Sequence, residues 1–169
     1  MNSILVVTYS YTGTARRLAQ LLSAQQGWPL GEVLEEQGRS GASGTLRCVL
    51  DSLLHRCPAV RYEGPDPVDF HTVVLVSPIW VYRLAGPMRS FIVNHQAELH
   101  RVASVSTMGS RGAPNAIAEI GRVLHQTPVL SAAFTSREVE DGSFAQRLRA
   151  FGDALRSTSA DAEPIRAAI

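Results

Sequence analysis

The sequence predicts an α/β fold: an open, doubly wound sheet of five parallel strands in the order 2-1-3-4-5, with helices on both faces. Strand-like and helix-like segments alternate five times along the 169 residues, which is the pattern of repeated βα units. Two segments, Ile4-Leu5-Val6-Val7 and Thr72-Val73-Val74-Leu75-Val76, are apolar without alternation, as expected where both faces of a sheet are covered. Right-handed crossovers then favour the doubly wound order.

The boundaries of the elements follow from apolar periodicity and from breaker residues. The first helix is predicted at Thr14–Gln26, because Gly27 closes it and Pro29 prevents its continuation. Pro87 and Pro114 each open a helix, since proline suits the first helical position. Further strands are predicted at residues 30–34, 102–107 and 129–134, helices at 45–57 and 144–155, loops at 37–44 and 61–69, and long turns at 77–87 and 108–113.

The length and composition of the chain predict one domain at residues 1–156, followed by a loose polar tail at residues 157–169. Hydrophobic residues make up 45% of the chain, as is normal for a globular protein. No apolar run approaches the length of a membrane span, and no basic region precedes the first apolar run. A cytoplasmic protein without a membrane partner is therefore expected.

Charge and cysteine content exclude several classes of function. The 16 basic and 15 acidic residues give a net charge of +1, which gives no reason to expect a nucleic-acid partner. All the basic residues are arginines, so neither Schiff-base chemistry on lysine nor a Walker-type loop is available. Cys48 and Cys57 are widely spaced, with His55 between them, which does not suit a metal site. Free thiols and no metal are predicted.

The turn after the first strand is the strongest candidate for a ligand site. It carries hydroxyl groups on Thr8, Ser10, Thr12 and Thr14, and Gly13 allows a tight turn. The following helix N-terminus presents unpaired N–H groups and the positive end of its dipole, so the turn suits a phosphate. Serine and threonine are also ordinary helix caps, which is the alternative interpretation. Three hydroxyls at alternate positions exceed what a cap requires, and this favours the phosphate site.

Three unusual turns, after the first, third and fourth predicted strands, are expected at the same edge of the sheet. Parallel strands all end at that edge, and ligands of open α/β sheets bind beyond it, where the strand order reverses. The sequence therefore predicts one ligand site built from all three turns.

These turns resemble the three cofactor loops of the flavodoxin-like proteins. The first, Ser10 to Thr14, is similar to a loop that typically reads S/T-x-T-G-x-T and wraps the 5′-phosphate of FMN. The second, residues 77–91, resembles a loop in which a strand ends in S/G-P-I/V-W and a small-Pro step opens the next helix. The third, residues 106–112, resembles a loop that commonly reads T-x-G-G-x-G. The resemblance spans residues 3–155 and implies the flavodoxin-like fold with FMN as cofactor.

The resemblance also implies how the loops divide the cofactor among them. The residues that would hold the phosphate are Ser10, Thr12, Gly13 and Thr14; those around one side and the N5 edge of the ring are Pro78, Ile79, Trp80, Val81, Tyr82 and Arg83; those on the pyrimidine side are Met108, Gly109 and Gly112. Trp80 and Tyr82 offer flat partners to a flat ring, the alternative for each being a place in the core. Arg111 is expected either to face the N1–C2 edge or to point to solvent. No catalytic acid or base is predicted.

The expected function is that of an FMN-binding redox protein, in which the flavin supplies the chemistry. The resemblance implies electron transfer, or NAD(P)H-dependent reduction of a small acceptor such as a quinone. Ordinary flavodoxins are strongly acidic, whereas this chain is balanced in charge, which argues against a carrier that meets a basic partner. A non-catalytic module that binds another small anion or a protein partner is the alternative. The sequence leaves the oligomeric state open, an oligomer included.

Overall fold

A computed structural model describes residues 4–36, 50, 54, 56–109 and 112–161. Within these ranges the chain forms seven strands, five α-helices and one short 3₁₀ helix. In chain order they are β1 (Ile4–Thr8), α1 (Thr14–Gln26), β2 (Leu30–Glu35), β3 (Val60–Glu63), the 3₁₀ helix (Pro67–Asp69), β4 (Thr72–Trp80), β5 (Arg83–Leu84), α2 (Gly86–Asn94), β6 (Val102–Met108), α3 (Ala113–Leu124), β7 (Ser131–Thr135), α4 (Ser136–Asp141) and α5 (Phe144–Asp161).

Five of the strands form a parallel sheet in the order β2-β1-β4-β6-β7, which is the order 2-1-3-4-5 predicted from the sequence. In the register of the sheet, Val6 of β1 lies opposite Leu30 in β2 and Val74 in β4. Every residue of β1 is buried, as are the first six of β4, which explains why these segments are apolar without alternation. The predicted doubly wound fold is confirmed.

Alternate residues of β1 lie in two separate cores, one on each face of the sheet. Leu5 and Val7 lie in the core that receives the apolar residues of α2 and α3, and Ile4 and Val6 lie in the core that receives those of α1 and α5. The helical residues include Met88, Phe91 and Ile120 in the first core, and Leu18, Leu22 and Leu148 in the second. Helices therefore cover both faces, as predicted.

The antiparallel strand β3 was not predicted. It pairs with β2 at the edge of the sheet, with Tyr62 opposite Val33, and all of it except Val60 lies in the segment predicted as a loop at residues 61–69. The prediction was wrong because only Val60 and Tyr62 alternate with polar residues here, and two prolines follow at once. So short a pattern cannot be told from a loop by periodicity alone.

The strand β4 is longer than predicted, and a second antiparallel strand, β5, follows it. β4 runs to Trp80 and is joined to β5 by two residues only, so the long turn predicted at residues 77–87 was wrong. Pro78 lies within β4, where a proline has no N–H group to donate to a neighbouring strand. It is tolerated because the pairing of β4 with β1 ends at Val76, and beyond that point β4 keeps β6 as its parallel neighbour.

The C-terminal part of the described chain also departs from the predicted boundaries. β7 begins at Ser131 rather than at residue 129, and α4, which was not predicted, follows it directly. α5 continues to Asp161, so the first residues of the predicted tail are helical. The loop predicted at residues 37–44 and most of the helix predicted at residues 45–57 lie outside the described residues. No helix in the described ranges is long and apolar enough to cross a membrane.

Candidate functional site

The loops that follow β1, β4 and β6 meet at the carboxyl edge of the parallel sheet. Between the first and second loops, the rings of Tyr9 and Tyr11 lie edge-on to Trp80, with ring centroids 5.7 and 6.0 Å away. Between the second and third loops, a Cβ atom on Gly112 would lie 2.9 Å from the Cα of Tyr82 and 3.0 Å from the Cγ2 of Ile79. The structure therefore brings together the three turns that the sequence singled out.

The first loop keeps most of its hydroxyl groups at the surface. Thr8 is the exception, because it is buried and its hydroxyl donates to the carbonyl of Val76 at 3.1 Å. The hydroxyl of Ser10 accepts the N–H of Gly13 at 3.0 Å, and the hydroxyls of Thr12 and Thr14 lie 3.2 Å apart. Thr12 is exposed, and Ser10 and Thr14 are half-buried.

These hydroxyls do not cap helix α1. Its N-cap residue is Gly13, in the left-handed backbone conformation at φ +93°, and no side chain caps it. The first helical hydrogen bond runs from the N–H of Arg17 to the carbonyl of Gly13, at 2.9 Å, so the N–H groups of residues 14–16 have no helical partner. The capping interpretation thus fails for this turn, which leaves hydroxyls beside amides that have no helical partner, and helix N-termini of this kind suit anions.

Tyr9 connects the start of this loop to the end of the neighbouring strand β2. Its side chain is 3% exposed, and its hydroxyl donates to Oε1 of Glu35 at 2.5 Å. Because Glu35 ends β2 and Tyr9 follows β1, the bond joins the ends of two neighbouring strands. The sequence places Tyr9 in the turn after the first strand, but a single hydroxyl gives no indication of its partner.

The second loop is a β-hairpin with a two-residue tip. Trp80 pairs with Arg83 and Ile79 with Leu84, and the tip residues Val81 and Tyr82 have φ values of +49° and +61°. Positive φ at both central residues is the mark of a type I′ turn, which favours Asn-Gly. A β-branched residue such as Val81 is a genuine outlier in this conformation. The side chains of Val81 and Tyr82 are 40% and 54% exposed, so they project from the hairpin.

A buried ion pair holds the base of this hairpin. Nε of Arg89 in α2 donates to Oε1 of Glu119 in α3 at 2.5 Å, and each side chain is 4% exposed. Oε2 of Glu119 accepts the N–H of Leu84 at 3.2 Å, and Arg89 donates to the Leu84 carbonyl at 3.0 Å. This pair was not predicted from the sequence. The one sequence feature that could have revealed it is that Arg89 and Glu119 are charged residues at helical positions next to core residues.

The third loop approaches the hairpin through a glycine. Gly112 has φ +119° and has no room for a Cβ atom against the tip of the hairpin, whereas a Cβ on Gly109 would meet nothing within 4 Å. Met108 ends β6 half-buried. Ser110 and Arg111 lie outside the described residues, so the prediction for Arg111 stays a prediction.

Two cavities open beside the hairpin tip. One, of about 400 Å³, is lined by Tyr82, Met108, Gly112, Ala113, Pro114 and Asn115. The other, of about 590 Å³, lies between the hairpin and α3 and is lined by Val81, Tyr82, Arg83, Asn115, Ala118, Glu119 and Arg122. Tyr82 and Asn115 line both cavities, so the hairpin tip and the start of α3 lie between them. Among the described residues, the smaller cavity has no charged residue in its lining, whereas the larger one has Arg83, Glu119 and Arg122.

Comparison with protein-family models finds no match, and neither does comparison with curated protein sequences. Comparison with solved structures does find similar chains. A flavoprotein from Lactobacillus acidophilus NCFM, solved in complex with FMN, superposes with a TM-score of 0.68 at 19% identity, covering 83% of this chain and 98% of that chain. A WrbA-like flavodoxin from Agrobacterium tumefaciens gives 0.61 at 10% identity, covering 94% and 98%. A flavodoxin from the domain Archaea gives 0.54 at 17% identity, covering 94% and 99%.

The chain has the flavodoxin-like fold. The similarity to these structures spans nearly the whole length of each of them, so the parallel sheet and its helices share one arrangement with them. At these levels of identity, the roles of individual residues must be argued from this chain alone.

Most of the predicted site residues lie at the carboxyl edge of the sheet, and they differ in how exposed they are. The side chain of Ile79 is only 8% exposed and lies in the core, so this residue can face a ligand only through its backbone. Trp80 and Pro78 are half-buried, and Trp80 also packs against the core. Arg83 is half-buried beside the larger cavity.

Metal binding and cysteine chemistry are the two other possibilities that the sequence raised. The described residues contain no group of three or more His, Cys, Asp or Glu side chains that could hold a metal ion. Cys57 is a free and exposed thiol, while Cys48 lies outside the described ranges.

Proposed function

We propose that this protein binds FMN at the carboxyl edge of its sheet and uses it as a redox cofactor. One observation carries the proposal: the hydroxyls of the first loop lie beside the first amides of α1, which have no helical partner, and do not cap the helix. A phosphate monoester is an acceptor that suits this set of donors. The flavoprotein from Lactobacillus acidophilus, whose fold is similar, was solved in complex with FMN.

The residues around the other two loops suit the ring of the cofactor. Trp80 and Tyr82 supply aromatic surface, and Gly109 leaves open space for close approach. Backbone groups of the hairpin tip and of the third loop would meet the polar edges of the ring. When bound, FMN supplies one- or two-electron transfer, and the protein binds it, orients it and limits access to it.

Comparing FMN with riboflavin tests the proposal, because the two differ only in the phosphate. FMN titrated into the apoprotein should lose its fluorescence, and riboflavin should bind more weakly. Hydrogen bonds to a charged group contribute about 1.5–3 kcal/mol each, so several donors should give a large difference. No quenching at micromolar FMN would overturn the proposal, and equal affinities would show that the first loop is not a phosphate site.

The reaction that we favour is NAD(P)H-dependent reduction of a small acceptor such as a quinone. The larger cavity supports it, because it adjoins Tyr82 and has Arg83 and Arg122 in its lining, which favours an anionic donor. The balanced charge of the chain removes the acidic surface with which a dedicated carrier would be steered to a basic partner. An electron carrier with the same cofactor remains the second candidate, supported by the exposed tip of the hairpin.

Anaerobic mixing of the FMN-loaded protein with NADH or NADPH distinguishes the two candidates. Rapid bleaching of the flavin absorbance by either nucleotide supports the enzyme. If neither bleaches it over hours, while a flavoprotein reductase does so readily, the protein is a carrier. A protein that binds no FMN at all would favour the non-catalytic module that binds another small anion or a protein partner.

A further inference from the structure

The buried ion pair of Arg89 and Glu119 binds both polar groups of one backbone residue, Leu84. The Leu84 N–H donates to Oε2 of Glu119 at 3.2 Å, and its carbonyl accepts from Arg89 at 3.0 Å. A second amino group of the same guanidinium donates to the carbonyl of Arg56 at 3.0 Å. Both side chains are 4% exposed, so these bonds form where water does not compete with them.

The hairpin needs such an anchor because β5 is too short to hold itself in place. β5 consists of Arg83 and Leu84 alone, and it pairs with β4 on one side. A two-stranded ribbon of this length is marginal in water. On the other side of β5, where a further strand would supply hydrogen bonds, Arg89 and Glu119 supply them instead. The pair therefore acts as a side-chain substitute for a neighbouring strand.

The backbone of the hairpin tip also needs neighbouring groups to hold it in place. Val81 and Tyr82 are held at positive φ, and residues in such conformations persist only where the surrounding structure enforces them. The tip is fixed by β4 on one side and, through Leu84, by the ion pair on the other. Glu119 also belongs to α3, which begins directly after Gly112, so the pair links the second loop to the third.

We infer that Arg89 and Glu119 are positioning residues that hold the β4–β5 hairpin in the conformation that receives the ring of the flavin. The inference rests on the proposed FMN site. Neither residue is placed in contact with the cofactor; they act through Leu84 on Trp80 and on the hairpin tip. Because the hairpin faces the ring and the first loop faces the phosphate, the pair should affect the part of the cofactor that FMN and riboflavin share.

Two substitutions test the pair. Glu119→Gln preserves the size of the side chain but replaces one acceptor oxygen with an NH₂ group, so it can no longer accept from both Leu84 and Arg89. Arg89→Lys keeps the charge but loses the planar fork that reaches several acceptors. Both should weaken FMN and riboflavin by the same factor, at least tenfold, and the exchange of the Leu84 amide hydrogen should become faster in both.

Arg156→Lys is the matched control for Arg89→Lys. Arg156 donates to the carbonyl and Oε1 of Gln26 at the C-terminal end of α1, which is the end of the helix opposite the first loop. This variant should leave both affinities and the Leu84 exchange rate unchanged. The thermal melt of each variant shows whether it is folded, and Arg89→Lys carries the comparison if Glu119→Gln does not fold.

Several results would overturn the inference. One is unchanged affinity for both flavins in a folded Glu119→Gln or Arg89→Lys variant. Another is a loss confined to FMN, which would place the effect at the phosphate. Rapid exchange of the Leu84 amide in the unaltered protein would show, without any variant or flavin, that the pair does not hold the hairpin. Failure of the unaltered protein to bind FMN would instead refute the proposed function, so the two ideas fail separately.

Discussion

At the scale of single residues, the first loop separates hydroxyls that build the fold from hydroxyls available to a ligand. Thr8 is buried, and its hydroxyl donates to the backbone of β4. Thr12 is exposed, and within the described residues its hydroxyl is hydrogen-bonded only to that of Thr14. Both are threonines of one turn, and sequence pattern alone does not distinguish them. Their different surroundings lead to opposite expectations.

Thr12→Ala should weaken FMN by about 10- to 150-fold, the equivalent of the ~1.5–3 kcal/mol typical of a hydrogen bond to a charged group. Riboflavin affinity should not change, because riboflavin has no phosphate. Fluorescence titration of both flavins measures the difference. Thr8→Val is the control: it should lower the free energy of unfolding by ~1 kcal/mol and affect both flavins equally. A Thr12→Ala variant with unaltered FMN affinity would contradict the phosphate site.

Trp80→Ala should weaken flavin binding and restore flavin fluorescence. It should also lower stability, because Trp80 packs edge-on with Tyr9 and Tyr11, and such aromatic pairs contribute ~0.5–1.5 kcal/mol beyond the area that they bury. Trp28→Ala, in the half-buried tryptophan next to Arg156, should lose stability without losing flavin. If Trp80→Ala loses stability and keeps its full affinity, Trp80 is a core residue only.

At the scale of elements, the close contact between the third loop and the hairpin depends on one glycine. Gly112→Ala should reduce flavin affinity and stability together, since its Cβ would lie 2.9 Å from the Cα of Tyr82 and its φ of +119° disfavours any other residue. Gly109→Ala adds the same methyl group to open space in the same loop. Urea unfolding and FMN titration of both variants measure the effect. Equal behaviour of the two would show that the contact between the loops is unimportant for binding.

The capping box of helix α4 should make stability depend on pH. The N–H and the hydroxyl of Thr135 both donate to the carboxylate of Glu138 and lower its pKa from the ordinary value of 4.5, and Arg147 adds to this effect. Because the folded state favours the charged form, the stabilisation is present above pH 4.5 and is lost as the pH falls through the lower folded pKa. Glu138→Gln removes the charge and keeps the size of the side chain.

The Glu138→Gln variant should therefore be less stable than the unaltered protein at pH 7, by ~0.3–1 kcal/mol for a charge at a helix N-terminus. The difference should shrink as the pH falls below 4.5. Urea unfolding at pH 7 and at pH 3 measures it, with the exposed Glu140→Gln on the same helix as control. A difference of the same size at both pH values would contradict the assignment.

At the scale of the whole molecule, the even balance of charge makes the proposed donor site depend on local arginines. Arg122→Ala should raise the KM for NADPH by about two- to fivefold, the equivalent of the ~0.5–1 kcal/mol of an exposed ion pair. The affinity for FMN should stay the same, because Arg122 lines the larger cavity. Steady-state kinetics at low and high salt provide the measurement, and Arg149→Ala on α5 is the control. An unchanged KM would remove the cavity as the donor site.

The parts of this molecule that the sequence predicted are those with a strong local signal. Buried strands such as β1 carry continuous apolar runs, so the parallel sheet and its order followed directly. β5 has only two residues, and the ion pair of Arg89 and Glu119 joins side chains distant in sequence. Such features depend on tertiary contacts, which periodicity does not contain. The positions of the three loops were predictable, whereas the hairpin that forms the second loop was not.

The two tip residues of the β4–β5 hairpin also bear on how this protein can diverge. Val81 and Tyr82 are a poor choice for a turn that favours Asn-Gly, and both side chains are exposed, so neither is there to fill a core. Selection for stability alone would replace them. A local conflict of this kind is expected where side chains serve a function outside the fold. Relatives of this chain should therefore vary at these two positions according to the molecules that they admit, and keep the framework beneath them.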